Sequence, residues 1–294
     1  MLGKDDTGEE QVTYCKKCDS IPEIAPKEGQ LFLWPPVSHI TGKILAAAKS
    51  IDLPVEKTAS VATLTINYSR PGLRDLIDAI SKDLLPEEMA ATKALIMPPK
   101  QSPEIDDISR ITSLNAIRAA IGAEWLGDVL RESRLNSAFQ PIFPISDFTA
   151  PYGHECLLRG VAADGSEITP GQLFDAAQSA TLLFQLDRAA RAANVRNAHK
   201  VGVTGNLFIN FTPSSIYDPD FCLRSTIEVV EECQIDRSSI VFEVIETEKV
   251  RSTSHLGHIL RSYRDSGFRV ALDDVGSGYS TLNMLPDLRP DIIK

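Results

Sequence analysis

From about residue 137 onward, short apolar segments alternate with helical ones, and this alternation constrains the fold more than any other feature of the chain. "AFQPIFPI" (138–145), "GHECLLRG" (153–160), "NLFINF" (206–211), "SIVFEVIE" (239–246), "FRVALDD" (268–274) and "PDIIK" (290–294) have strand character. Between them, Thr169 and Pro170 open one helix and a longer one runs from about 183 to 199. "PDFCLRSTIEVVEECQI" (219–235) forms a third, and "STSHLGHILRSYRDSG" (252–267) a fourth that stops at Gly267. Apolar strands separated by helices imply a parallel sheet, either doubly wound or an α/β barrel.

Polar residues recur inside those strands: Glu155, Asn210, Glu243, the pair Asp273 and Asp274, and Lys294. Each sits at or near the C-terminal end of its strand, and in parallel α/β folds those ends converge on one face, where ligands bind. A single polar residue is ordinarily an edge position or a capped end, but a succession of strands each carrying one is not explained that way. Asp273 and Asp274 are the extreme case, because like charges repel and each is costly to desolvate. A turn or helix cap would account for Asp274 alone. A divalent cation would offset the repulsion of both.

Carboxylates and an amide oxygen are hard ligands, suited to Mg²⁺ or Mn²⁺ rather than zinc. Adjacent aspartates could serve two metals, or one could ligate while the other acts as base. Such a site lowers the pKa of water and clamps an in-line displacement at phosphorus. Lys294 and Arg159 are cations near the same rim, fit for a phosphate oxygen or developing negative charge. The residues alone therefore predict metal-dependent hydrolysis of a phosphate ester.

The bulk properties agree. Apolar residues make up 43% of the 294, enough for a large core. A net charge of −10 argues against non-specific binding to a nucleic-acid polymer, which needs a basic face. No window is long and apolar enough to span a membrane, and the polar start "MLGKDDTGEE" lacks a signal peptide's apolar core. Three scattered cysteines suit a reducing compartment, so a cytoplasmic location is expected. Cys15 and Cys18 form a C-x-x-C pair; zinc there would need further ligands, such as His39, a carboxylate or a second chain.

The first 104 residues have a different texture. Proline clusters surround a strand, "SVATLTINY" (60–68), a helix opened by Pro71, and a second helix, "PEEMAATKALIM", after Pro86. This reads as a small α/β or α+β module of unknown, regulatory or dimer-forming, role. Phe32, Trp34 and Ile40 are read as its core. "PPKQSPEIDD" (98–107) reads as a linker, and an amphipathic helix over about 108–134 connects the halves. The expected division is an N-terminal module (1–104), a connecting helix (105–136) and a catalytic domain (137–294).

The catalytic half resembles a known family. "YGHECLLRG" is similar to the E-A-L-x-R signature of EAL-domain cyclic-di-GMP phosphodiesterases, with Cys156 in place of alanine. "FQPIF", "FQLDR" (184–188), "NLFINFTPSSI", "FEVIETE", "ALDDVGSGYSTL" and "LRPDIIK" resemble further segments of that family, in family order. The resemblance implies a TIM-like (β/α) barrel. It implies two Mg²⁺ or Mn²⁺ ions, the first held by Glu155, Asn210, Glu243 and Asp273, the second by Asp274. Lys294 would orient the attacking water and Arg159 would contact a substrate phosphate. Gln140 and Asp187 would line the substrate site. Glu246 would anchor the loop after Asp274, which in the family couples substrate binding to dimerisation. The reaction would open cyclic-di-GMP to linear pGpG, in a homodimer.

Ile245 and Val275 depart from the family's threonine and phenylalanine, but no expected ligand is replaced. The sequence stops at Lys294, in what the resemblance makes the sixth strand of eight, so the barrel is expected to be incomplete at its C-terminus. The alternative function is an EAL-type receptor or interaction module without turnover.

Overall fold

A computed structural model describes residues 21, 25–58, 63–245, 253–273 and 288–294. Within it the chain divides into two compact units. One is built on Glu23–Asp128 together with Asp175–Thr181, the other on Val129–Phe174 and Leu182–Lys294.

The first unit is an antiparallel sheet backed by helices. Strands β1 (Glu28–Trp34), β2 (Val55–Thr58), β3 (Thr63–Ser69), β4 (Lys93–Met97) and β5 (Thr112–Ser113) lie in the order β2-β3-β1-β4-β5. Helices α1 (Ser38–Ser50), α2 (Arg70–Asp83), α3 (Pro86–Ala91) and α4 (Leu114–Gly122) complete it. Alternation along β1 sends Leu31 and Leu33 into the helix-facing core with Ile44 and Leu76, and sends Phe32 to the other face with Leu95 and Met97. Trp34 stacks on Phe32 at 6.3 Å between centroids. Pro71 falls in the first turn of α2, where its missing N–H costs nothing, and Ser69 caps that helix through the Gly72 amide.

Two expected helices are altered here. "KALIM" is a strand because residues 93–97 pair with residues 30–34 of β1, and sheet pairing overrides a helix-compatible composition. The helix over 108–134 is broken: Ile105–Arg110 is a 3₁₀ turn, Thr112 and Ser113 pair with β4, and α4 ends at Ala123 before α5 (Glu124–Arg131). Ser113 caps the N-terminus of α4 by accepting the Ala116 amide, a helix-start signal inside an apolar periodicity.

The second unit contains β6 (Leu135–Ile142), β7 (Gly153–Val161), β8 (Glu167–Ile168), β9 (Asn206–Asn210), β10 (Ile240–Ile245), β11 (Arg269–Asp273) and β12 (Ile292–Ile293). The helix α6 (Pro170–Ala180) is divided between the two units, and the helices of the second are α7 (Leu183–Val201), α8 (Pro219–Glu232) and α9 (Thr253–Asp265). The sheet order is β12-β11-β10-β9-β7-β6. Strands β7, β9, β10, β11 and β12 run parallel to one another along this path, and from β9 onward each is reached through a helical crossover or long connection. Strand β6 runs antiparallel to β7. The short connection between them leaves no room for a crossover helix, so they form a hairpin. The result is the largely parallel α/β sheet expected from the strand–helix alternation, of the TIM-like kind that the family resemblance implies, with one reversed strand at its start.

The sheet's two faces differ in kind. One packs Ile209, Phe242, Val270 and Leu272 against Val195, Val230, Ile259 and Leu260 of the helices. Each such side chain contributes about 1.5–3 kcal/mol by leaving water. The opposite face is layered. At the N-terminal ends, the Arg269 guanidinium donates to Ser238 O at 2.7 Å and Tyr152 Oη at 3.0 Å, and also to Asn206 Oδ1. Above it lie Phe208, Val241 and Ala271 with Ile142 and Ile292. Gly153 opens β7 because a Cβ there would meet Asn206 O at 2.5 Å.

Candidate active site

The next layer, at the C-terminal ends of the strands, is polar. Strand geometry puts it there: Asn210 is two residues beyond Phe208, Glu243 two beyond Val241 and Asp273 two beyond Ala271, so each lies on the same face as its apolar predecessor. Register brings them side by side. Glu243 is the direct neighbour of Asn210, Ile245 of Asp273, and Glu155 of Phe208.

The carboxylates of Glu155, Glu243 and Asp273 converge, with one oxygen of each within 4.8 Å of the others. Lys294 reaches all three. Its Nζ lies 3.1 Å from Glu155 Oε2, 2.8 Å from Glu243 Oε1 and 3.5 Å from Asp273 Oδ2. The ammonium also sits 5.8 Å from the centre of the Phe208 ring, which forms the floor. Asn210 Nδ2 donates to Glu155 Oε1 at 3.4 Å, which leaves its Oδ1 buried without a hydrogen-bond partner.

Glu243 is fully buried. Burial pushes its carboxyl up to about 7, against the hydrogen bond and charge of Lys294, with Glu155 and Asp273 adding to the rise. Burial alone would lower the Lys294 ammonium, but its bonds to Glu243 and Glu155 outweigh that and raise it.

This donor set fits a hard divalent cation. Three carboxylates bring oxygens within 4.8 Å of one another, while Asn210 Oδ1 and Glu243 Oε2 are buried oxygens with no hydrogen-bond partner among the described residues. The four residues are those expected to hold the first metal. Asp274 and Glu246 lie outside the described residues, as do Cys15 and Cys18.

The other expected residues are placed as follows. Gln140 on β6 is exposed and directly opposite Glu155. Arg159 shares Glu155's face about 13 Å further along β7, half-exposed, and its guanidinium lies 3.4 Å from Glu167 Oε1. Asp187 is not brought to the cluster's open side. It is 2% exposed, with Oδ1 accepting the Thr212 amide at 2.7 Å and Oδ2 accepting Arg191 Nε at 3.0 Å. Phe208 was not singled out from the sequence, although its place two residues before Asn210 was the available signal.

The EAL domain family model matches residues 123–294, more than half of the chain. The chain belongs to the EAL domain family. A curated relative, "Probable cyclic di-GMP phosphodiesterase PdeG" of Escherichia coli (strain K12), is 30% identical over 189 residues, covering 60% of this chain and 35% of its own length. The chain thus spans about a third of that relative. Among solved EAL structures, the Xanthomonas citri FimX EAL domain in complex with c-diGMP aligns with a TM-score of 0.52 at 18% identity, over 60% of this chain and 69% of that one. The Vibrio cholerae LapD S helix-GGDEF-EAL chain, bound to c-di-GMP, aligns with a TM-score of 0.50 at 13% identity, over 90% of this chain and 74% of that one. At these identities the two structures speak to fold alone. The second alignment covers more of the chain than the EAL match does, so it also takes in part of the first unit.

Proposed function

We propose that the chain is a cyclic-di-GMP phosphodiesterase that uses Mg²⁺ or Mn²⁺, two ions per site, to produce pGpG. The observation that carries this reading is the convergence of Glu155, Glu243 and Asp273 around buried, unpartnered oxygens of Asn210 and Glu243. The curated relative described as a probable cyclic di-GMP phosphodiesterase supports the substrate.

In this reading Glu155, Asn210, Glu243 and Asp273 hold the first cation, and Asp274 shares in holding the second. Such ions supply positive charge that acidifies water and makes phosphorus more electrophilic. The product carries a 5′ phosphate, so water's oxygen bonds to phosphorus as the bond to the 3′ oxygen breaks. Lys294, held at the cluster by three carboxylates, orients the water and carries charge that offsets the developing oxyanion. Arg159 meets a phosphate at the rim, and Gln140, across from Glu155, borders the substrate. Glu246 anchors the loop beyond Asp274, in a cytoplasmic homodimer. Residues 1–104 act as a regulatory module ahead of the catalytic domain, joined to it through residues 105–136.

A second reading, binding of the dinucleotide without turnover, is favoured by one feature: the Lys294 ammonium already compensates part of the carboxylate charge. Turnover of cyclic-di-GMP by the full chain in Mg²⁺ and in Mn²⁺, with Glu155→Ala alongside, separates the two. Production of pGpG that is lost with the substitution and with chelator is the expected result. Binding without product would transfer the assignment to a receptor, and neither would remove both.

A further inference from the structure

Helix α7 carries a buried polar stripe that the cation site does not use. Asp187 and Arg191 are one turn apart and 2% and 0% exposed. Arg191 Nε and Nη2 each lie 3.0 Å from Asp187 Oδ2, and Nη1 donates to Thr226 Oγ1 on α8 at 3.0 Å. The other carboxylate oxygen accepts the Thr212 amide at 2.7 Å.

That last bond gives the pair its significance. Thr212 is two residues past Asn210. The intervening Phe211 amide donates to the carbonyl of Glu243 at 3.1 Å. The segment that leaves β9 is thus pinned to the sheet at Phe211 and to α7 at Thr212. Ser215 closes the turn by donating to Thr212 O at 2.7 Å. Asn210 sits immediately before both anchors, with Oδ1 buried and unpartnered beside the carboxylates.

A buried ion pair is a poor device for stability, because apolar side chains of similar volume hold helices together as well or better. Only an acceptor fixed in place can anchor the Thr212 amide, and Arg191 fixes that acceptor. We propose that Asp187 and Arg191 are positioning residues for Asn210, holding its amide oxygen toward the carboxylate cluster through the Thr212 backbone. This rests on the cation-site reading above and deepens it.

The test compares the full chain with the double variant Asp187→Leu/Arg191→Met and with Thr226→Val, which removes the other Arg191 partner and leaves Thr212 untouched. Hydrogen exchange of the segment after β9 and the Mn²⁺ dissociation constant by calorimetry are the readouts. The double variant, which removes both charges together, is expected to melt cooperatively, exchange faster around Thr212 and bind Mn²⁺ about 10–100-fold more weakly. Thr226→Val should change neither readout. A folded double variant with wild-type exchange or wild-type Mn²⁺ affinity would overturn the proposal. Should that variant not fold, Asp187→Asn serves instead. Its one oxygen can still face the Thr212 amide, but its NH2 group then meets the Arg191 guanidinium, another donor, so the acceptor is no longer fixed: faster exchange around Thr212 and weaker Mn²⁺ binding are expected, and wild-type values of either overturn the role. A wild-type chain that binds no Mn²⁺ would sink the cation-site reading, whereas the exchange pattern would still decide whether the pair anchors the segment.

Discussion

Lys294 holds Glu243 by a 2.8 Å ion pair although the Glu243 side chain is wholly withdrawn from solvent. The same ammonium bridges Glu155 and Asp273, so one cation stands among three carboxylates. Its removal should therefore separate binding from chemistry. In Lys294→Met the cluster keeps its oxygens and gains net negative charge. Mn²⁺ should bind at least as tightly as in wild type, while cyclic-di-GMP turnover falls by about 10²-fold or more. Calorimetry beside a product assay checks this. Affinity and turnover falling together would mean that Lys294 supports the ligands rather than the reaction.

The raised carboxyl of Glu243 makes metal-free stability depend on pH. Its folded value is about 7 against an ordinary 4.5, so the folded state keeps a proton that the unfolded state releases. This contribution is fully present below about pH 4.5 and is lost as pH rises through 7. Over that range the loss is on the order of 2–3 kcal/mol. Denaturant melts in chelator at pH 5 and pH 8, wild type against Glu243→Gln, isolate the effect. The wild type should lose more stability than the variant, and saturating Mn²⁺ should restore it at pH 8. Parallel pH profiles for the two chains would refute the assignment.

Cys156 stands where the family signature has alanine, and it is buried at 2% exposure. Burial, with the charges of Glu243 and Glu155, pushes its thiol up to about 12. Thiolates react and thiols do not, so the native chain should leave Cys156 unlabelled by maleimide at pH 7.5. Cys156→Ala should cost about 1 kcal/mol or less and leave Mn²⁺ affinity unchanged. Rapid labelling of Cys156 in the folded state, mapped by mass spectrometry, would contradict this environment.

Gly153→Ala tests the entry to β7. The added methyl would lie 2.5 Å from the Asn206 carbonyl oxygen, a backbone atom that cannot swing aside. Strand β7 would have to move away from β9, which carries Asn210. A loss of about 2–3 kcal/mol in denaturant melts is expected, with weaker Mn²⁺ binding as Glu155 shifts. A variant as stable as wild type would show that this contact relaxes freely.

Much of this was readable in the residues. Glu155, Asn210, Glu243 and Asp273 stood out because charged or amide groups interrupt apolar strands, and strand polarity fixes which end of a sheet they share. The convergence of the three carboxylates, Glu155, Glu243 and Asp273, within 4.8 Å follows from register, to which alternation is a good guide. What was less legible depended on partners distant in sequence. "KALIM" looks helical until β1 is available to pair with it. The β6–β7 hairpin is set by a short connection rather than by strand composition. Asp187 reads as a substrate group only through the family resemblance, and its partners, Arg191 and a backbone amide 25 residues away, are not visible in the local sequence. Side-chain identity alone does not reveal which of two neighbours a carboxylate will face.

The three-way grip on Lys294 has a consequence for how such a protein matures. Part of the carboxylates' charge is offset by a group the chain carries itself, so folding does not depend on a divalent ion alone to relieve their repulsion. Under the proposed cation-site reading, loading would then be an exchange of partners, in which an incoming ion would take over oxygens that the lysine releases. The rate of activation would follow how fast that side chain swings clear, which separates the timing of assembly from the timing of competence.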